Sequence, residues 1–454
     1  MSHDWNSIDP QWAWSPYEPD ARCPWNRARA AHLFRRAGFG ADSQQLDQAV
    51  HQSPQQVVDQ LIEPPADITA FDQSSGDLVA FALATGDVHR LAAWWMHRML
   101  RSPFPLQEKM TLFWHGHFAT SAEKVADAEL MYRQNQLFRN HALGDFRRLV
   151  HEVSRDPAML IYLDSATNRK AHPNENYARE LMELFTLGEG NYSEQDVQQL
   201  ARCFTGWEIR RKQFRFNPYQ NDEGEKTLFG QRGKFTGDEA VELVLSRPQV
   251  PGFIVRKLFR FFVADEPAPP DQLLQPLAEQ FREEDLQLRG LLRRMLGSRL
   301  FFSDRVVGSK VRSPVDFAVT ALRSLRATTN VQMLSEMCGK LGQMLFYPPN
   351  VKGWDGGRAW INSATLLGRA NLVRQVLSDP ATRFDGGGLL DVARRHGKER
   401  PEALVDWLAE LLLAVPLSET TRMELVDVGR AAGNETAFRE VLYLMMTLPE
   451  YQVM

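Results

Sequence analysis

The stretch Leu112–Ser121, LFWHGHFATS, sets His115 and His117 either side of Gly116, among Phe113, Trp114 and Phe118. Imidazoles near neutral pH offer two chemistries, metal ligation and proton transfer. Spacing restricts the first. Residues two apart point to nearly opposite sides of a helix and to alternate faces of a strand. Both rings reach one ion only if the chain turns at Gly116, where backbone freedom permits it. The bland alternative is a helix end whose imidazoles bond to free carbonyls, with aromatics packed around them. Taken alone the pair favours that alternative, because metal sites bring further ligands.

A second group lies in NENYARELMELFTLG, 174–188. At 100° per residue Tyr177, Leu181, Leu184 and Phe185 share an apolar face, and Asn176, Glu180 and Glu183 form a stripe opposite. Glu180 and Glu183 are like charges three apart, destabilising by about 0.2–0.5 kcal/mol when uncompensated. Their own i+4 positions are Leu184 and Leu187, while Arg179 pairs with Glu175 instead. A cation from elsewhere, an arginine or a divalent metal, would relieve the stripe, and an ion-pair network is the simpler answer. With the histidines added, Mn²⁺, Fe²⁺ or Zn²⁺ becomes a suitable ion.

Two loops complete the candidates. FNPYQNDEGEKTLFG, 216–230, clusters Asp222, Glu223 and Glu225 about Gly224, with Lys226 following. It lacks the alternating oxygen ligands of a calcium loop, and turn chemistry accounts for it. FYPPNVKGWDGGRAWINSATLLGRANL, 346–372, combines Pro and Gly with Trp354, Trp360, Lys352, Asp355 and Arg358. Its tryptophans, flanked by polar groups, suit a carbohydrate, peptide or planar ligand, although plugging a loop onto a core is their commoner use. A helix starting near Asn362 or Ser363 would offer an anion-binding N-terminus.

The elements that must carry these residues are mainly helical. Ser53-Pro54 is an N-cap with proline at the first helical position. DVHRLAAWWMHRMLRS and PLQEKMTLFWH read as long aromatic helices, KVADAELMYRQNQLFRNHAL as another, and Asp156-Pro157 starts a short one. Ser193 with Asp196 resembles a capping box. From 207 to 233 the pattern alternates and turns, which predicts a β-hairpin or irregular insertion. ADEPAPPD, 264–271, reads as a surface linker. The expected fold is mainly α, a large multi-helix globular body with that one small β element. A helical N-terminal region (1–263) and a helical C-terminal region (272–454) are expected, either as two domains or as one continuous body.

Bulk properties exclude several classes. A net charge of −4 over 454 residues argues against a dedicated nucleic-acid face. Cys23, Cys203 and Cys338 form neither a disulfide framework nor a metal knuckle. No stretch approaches a membrane span and the N-terminus has no apolar run, so a cytoplasmic location is expected, export by other means aside. Dinucleotide, P-loop, nucleophile-elbow and HExxH signatures are missing.

AAHLFRRAGFGA, EKMTLFWHGHFATS, NENYARELMELFTLGEGNYSEQDV, ARCFTGW, DEGEKTLFG, SPVDFAV and PPNVKGWDGGRAWINSATLLGRANL occur in order. This succession, from about Ala30 to the terminal LPEYQ, resembles the bacterial family known as domain of unknown function 1800. The resemblance implies a mainly helical fold and a gene neighbour resembling phosphatases and sulfatases, hence a potential partner. It implies no reaction. Many members carry an export signal that this chain lacks, and a histidine common before the aspartate of the acidic turn is here Asn221.

Two functions are expected from these residues. In a metal-assisted hydrolase, His115, His117, Glu180 and Glu183 would hold a divalent ion, with Glu175 or Asp222 as general base. In a non-catalytic accessory to a partner enzyme, the 207–233 insertion and the tryptophan loop would face the ligand. Asn176, Trp207, Lys226, Lys352, Trp354, Arg358 and Trp360 are the candidate ligand contacts.

Overall fold

The computed structural model describes residues 4–431 and 434–454. It is 62% helical, with 26 helices and three two-stranded ribbons among the described residues. None of these helices is long and apolar enough to cross a membrane. The 207–233 insertion holds two of the ribbons, Trp207–Arg210 with Gln213–Phe216 and Lys226–Leu228 with Gln231–Gly233. The third, Ala327–Thr328 with Arg383–Phe384, lies outside it and had no sequence signal.

Local chemistry sets most helix ends where the caps predict them. Ser53 caps Pro54–Ile62 with a reciprocal bond to Gln56, and Ser193 and Asp196 form the capping box of Glu194–Cys203. KVADAELMYRQNQLFRNHAL divides in two at Ala126, whose φ of 51° stops the Ala122–Val125 turn before Asp127 caps Ala128–Asn140. The helix after Asn174 departs further from expectation. It is α-helical over Asn176–Glu180 and then π-helical over Leu181–Thr186. Bonds to i+5 rotate later side chains relative to a 100° wheel, which leaves Leu184 half-buried rather than in the core.

One apolar cluster contains side chains from Trp5 through Tyr451. Buried charges fasten helices across it. The Pro105–His117 helix turns Glu108 to Arg98 and Arg139, which hold it at 2.7 and 2.9 Å, while Trp95 Nε1 donates to it at 3.0 Å. Its neighbour Lys109 faces the other way and pairs with Asp316. From the Arg27–Gly38 helix, buried Arg36 donates to the carbonyls of Phe262, Val263 and Val306. That clasp fixes the chain on which Asp265 and Lys310 follow. The expected surface linker is exposed over 266–268, but its start is held in: Ala264 is buried, and the Asp265 side chain, 7% exposed, pairs with Lys310.

Candidate functional site

Two helices and two loops enclose a cleft of about 340 Å³. Pro105–His117 presents Lys109, Leu112, Phe113, Gly116 and His117, the i, i+3, i+4, i+7, i+8 stripe of one helix face. Gln249–Phe262 presents Lys257, Arg260 and Phe261 by the same spacing, and Phe113 and Phe261 meet at 5.1 Å. The Lys310–Asp316 segment and the loop from Lys352 to Trp360 close the remaining sides, with Leu184 of the π-helix on the rim.

The loop is seated by a pair of glycines. Gly353 has φ +78°, and a Cβ there would lie 2.1 Å from the Gly116 carbonyl oxygen. The contact brings Trp354 over the helix end, its ring 5.6 Å from His115. Trp354 Nε1 is buried and finds no acceptor among the described residues.

Helix geometry sends the two histidines apart. The helix runs through Gly116 to His117 without turning back. His115 is buried against Trp95 and Phe346, and its Nε2 accepts from the Phe346 N–H at 3.1 Å. The His117 Nε2–H donates to the Phe185 carbonyl at 3.0 Å, leaving Nδ1 buried and without a partner. Burial pushes both imidazoles down to about 3, with Lys257 adding to the effect at His117, so both are neutral at pH 7.

The four candidate ligands do not assemble. Among the described residues no three His, Cys, Asp or Glu side chains gather to hold a metal. Glu183 accepts from the Tyr192 hydroxyl at 2.7 Å. Burial and then Glu183 raise the Glu180 carboxyl, while Lys352 and Arg179 oppose the rise. Lys352 is thus the distant cation that the glutamate stripe called for.

The other candidates divide by position. Lys352, Trp354 and Trp360 line the cleft. Glu175 pairs with Arg179 at 3.3 Å, the expected i,i+4 bridge, and Asn176 is exposed. Asp222 is held by Arg202 at 2.7 Å, which with the Gly224 N–H lowers its carboxyl. Lys226 is buried, donating to the carbonyls of Asp222, Gly224 and Phe235, so the acidic turn already contains its cation. Trp207 packs on Phe204 at 4.7 Å and against Gly237. Arg358 is exposed and reaches Glu266 at 3.3 Å, beside a separate hollow. None of these six side chains lines the cleft.

Several lining residues were not singled out in the sequence. Lys109 pairs with Asp316, which Ser313 also bonds at 2.8 Å. Lys310 pairs with Asp265 and donates to the Arg260 carbonyl at 3.0 Å. Burial lowers both lysines, with their aspartates opposing it. Lys257 differs, having no carboxylate or hydrogen-bond partner among the described residues. Burial, Arg260 and Lys352 all lower its ammonium. The available signal was a lysine on an otherwise apolar face in EKMTLFWH, and Lys257 with Arg260 on one face of FIVRKLFRFF.

The fold and site together define a mainly helical protein with an aromatic, lysine-rich cleft. The sequence model of the family described as Protein of unknown function (DUF1800) matches residues 32–453, and the chain belongs to that family. Comparison with curated proteins and with solved structures finds no match.

Proposed function

We propose that the cleft receives a small organic anion bearing a planar or apolar group. Five cationic side chains line it, Lys109, Lys257, Arg260, Lys310 and Lys352, against three carboxylates, Asp265, Asp316 and Asp355, an excess of two. The observation that carries the reading is where that excess falls. Lys109 and Lys310 are neutralised within the fold, whereas Lys257 and Lys352 make no salt bridge among the described residues, Lys352 acting on Glu180 only at longer range. Like charges gathered in a partly desolvated cleft repel, and a bound carboxylate or phosphate removes the repulsion. Phe113, Phe261, Trp354 and Trp360 supply flat apolar walls. The buried Trp354 indole N–H adds an unused donor and His117 Nδ1 an unused acceptor.

The metal-assisted hydrolase expected from the sequence would need its ligands together, and no three His, Cys, Asp or Glu side chains gather among the described residues. Tryptophan fluorescence titrated with benzoate tests the anion reading, with benzyl alcohol as the neutral control. Saturable change with benzoate alone is expected, and equal response to both would overturn the charge argument.

A second reading, an accessory to a phosphatase- or sulfatase-like partner, draws on one observation. Leu366 and Leu367 of the Ser363–Ser378 helix are 43% and 65% exposed beside the hollow lined by Arg358 and Ile361. Co-elution with that partner, lost in Leu367→Asp, would support it.

A further inference from the structure

We infer that Lys257 is a nucleophilic amine that condenses with the carbonyl of a 2-oxo acid held in the cleft. The inference rests on the anion reading and names the ligand class and the chemistry of the same site.

Three lysines with buried or half-buried stems point into one cavity, and their surroundings differ. Lys109 and Lys310 each have an aspartate, which opposes the lowering by burial and occupies the ammonium. The Lys257 Nζ lies 5.2 Å from the centre of the Phe253 ring, with Arg260 and Lys352 as its charged neighbours and His117 within electrostatic range. An apolar setting beside other cations is what turns a lysine into a free amine near neutral pH. Burial and those two cations lower this ammonium. The same cations would hold the carboxylate of an oxo acid and leave its adjacent carbonyl beside the amine.

The step balances without a metal or redox partner. The amine nitrogen forms a bond to the carbonyl carbon, giving a carbinolamine. The C–O bond then breaks, and both amine hydrogens leave with the oxygen as water. A C=N bond remains, and its carbon bears the carboxylate. His117 Nδ1, on the same wall and without a partner, is an acceptor able to carry one of those protons.

The test uses the full chain with phenylglyoxylate and sodium cyanoborohydride at pH 7, followed by peptide mapping. The expected result is a reduced adduct that forms at Lys257 ahead of every other lysine. The adduct should be absent in Lys257→Arg and suppressed by excess benzoate. Labelling spread evenly over surface lysines, or concentrated elsewhere, would overturn the inference. Benzoate binding measured on the same wild-type protein separates the two failures: binding without an adduct rejects the amine chemistry alone, and no binding rejects the anion reading beneath it.

Discussion

The His117 Nε2–H donates to the carbonyl of Phe185 across 3.0 Å, joining the end of one helix to the π-helical turn of another. The bond satisfies a carbonyl near a helix end, where intrahelical donors run out. It also fixes the tautomer, so that the lone pair sits on Nδ1. A residue with the spacing of a metal ligand therefore has one nitrogen committed to the fold and the other buried, with no partner among the described residues.

The neutrality of the histidines makes stability depend on acid. An unfolded imidazole takes its proton near pH 6.5, but His115 and His117 in the fold do so only near 3. Between these values the unfolded chain binds more protons, so the stabilisation present above about pH 6.5 is lost as pH falls. Asp156, pushed up to about 7 chiefly by burial, acts oppositely between its ordinary value and 7. Comparison with His117→Gln isolates one imidazole, because glutamine keeps an N–H donor. Urea unfolding from pH 6 to pH 4 should show a slope shallower by about 1.4 kcal/mol per pH unit in the variant.

Asp316→Asn should destabilise by about 3–5 kcal/mol, since it strands the Lys109 ammonium, whose side chain is 1% exposed. Lys109→Met with Asp316→Leu should recover most of that loss. Urea unfolding of the single and double variants checks both values. A mild single variant would mean that Lys109 sheds its proton instead.

Gly353→Ala should cost at least about 1–3 kcal/mol, because φ is +78° and the new methyl meets the Gly116 carbonyl at 2.1 Å. The displaced loop should carry Trp354 outward, seen as a red shift in fluorescence alongside the lower melting temperature.

Glu180→Gln should be silent or stabilising by about 0.2–0.5 kcal/mol at pH 7, because it removes repulsion from Glu183. Thermal melts together with metal content of untagged protein check this. A large loss accompanied by loss of a bound metal would restore the ligand role expected from the sequence.

Much of the fold was legible because its signals are local. The caps at Ser53 and Ser193, the Glu175–Arg179 bridge and the aromatic helices each depend on residues a turn apart. The stripe of Glu180 and Glu183 was legible, but its cation was not, since Lys352 comes from a loop far along the chain. The cleft itself depends on such distant pairings: Asp316 lies 207 residues after Lys109. The π-helical turn that brings Leu184 to the rim breaks the period on which the helical wheel relied. Arg36 read as part of a helix end, yet its carbonyl clasp orders the Asp265 and Lys310 segments.

The most direct test is isothermal titration of benzoate into the wild-type protein and into Lys257→Met/Lys352→Met. One saturable site per chain is predicted for the wild type, weakened about tenfold or more in the double variant at unchanged far-ultraviolet dichroism. Equal binding by both proteins, or no binding by the wild type, would contradict an anion site between these two lysines.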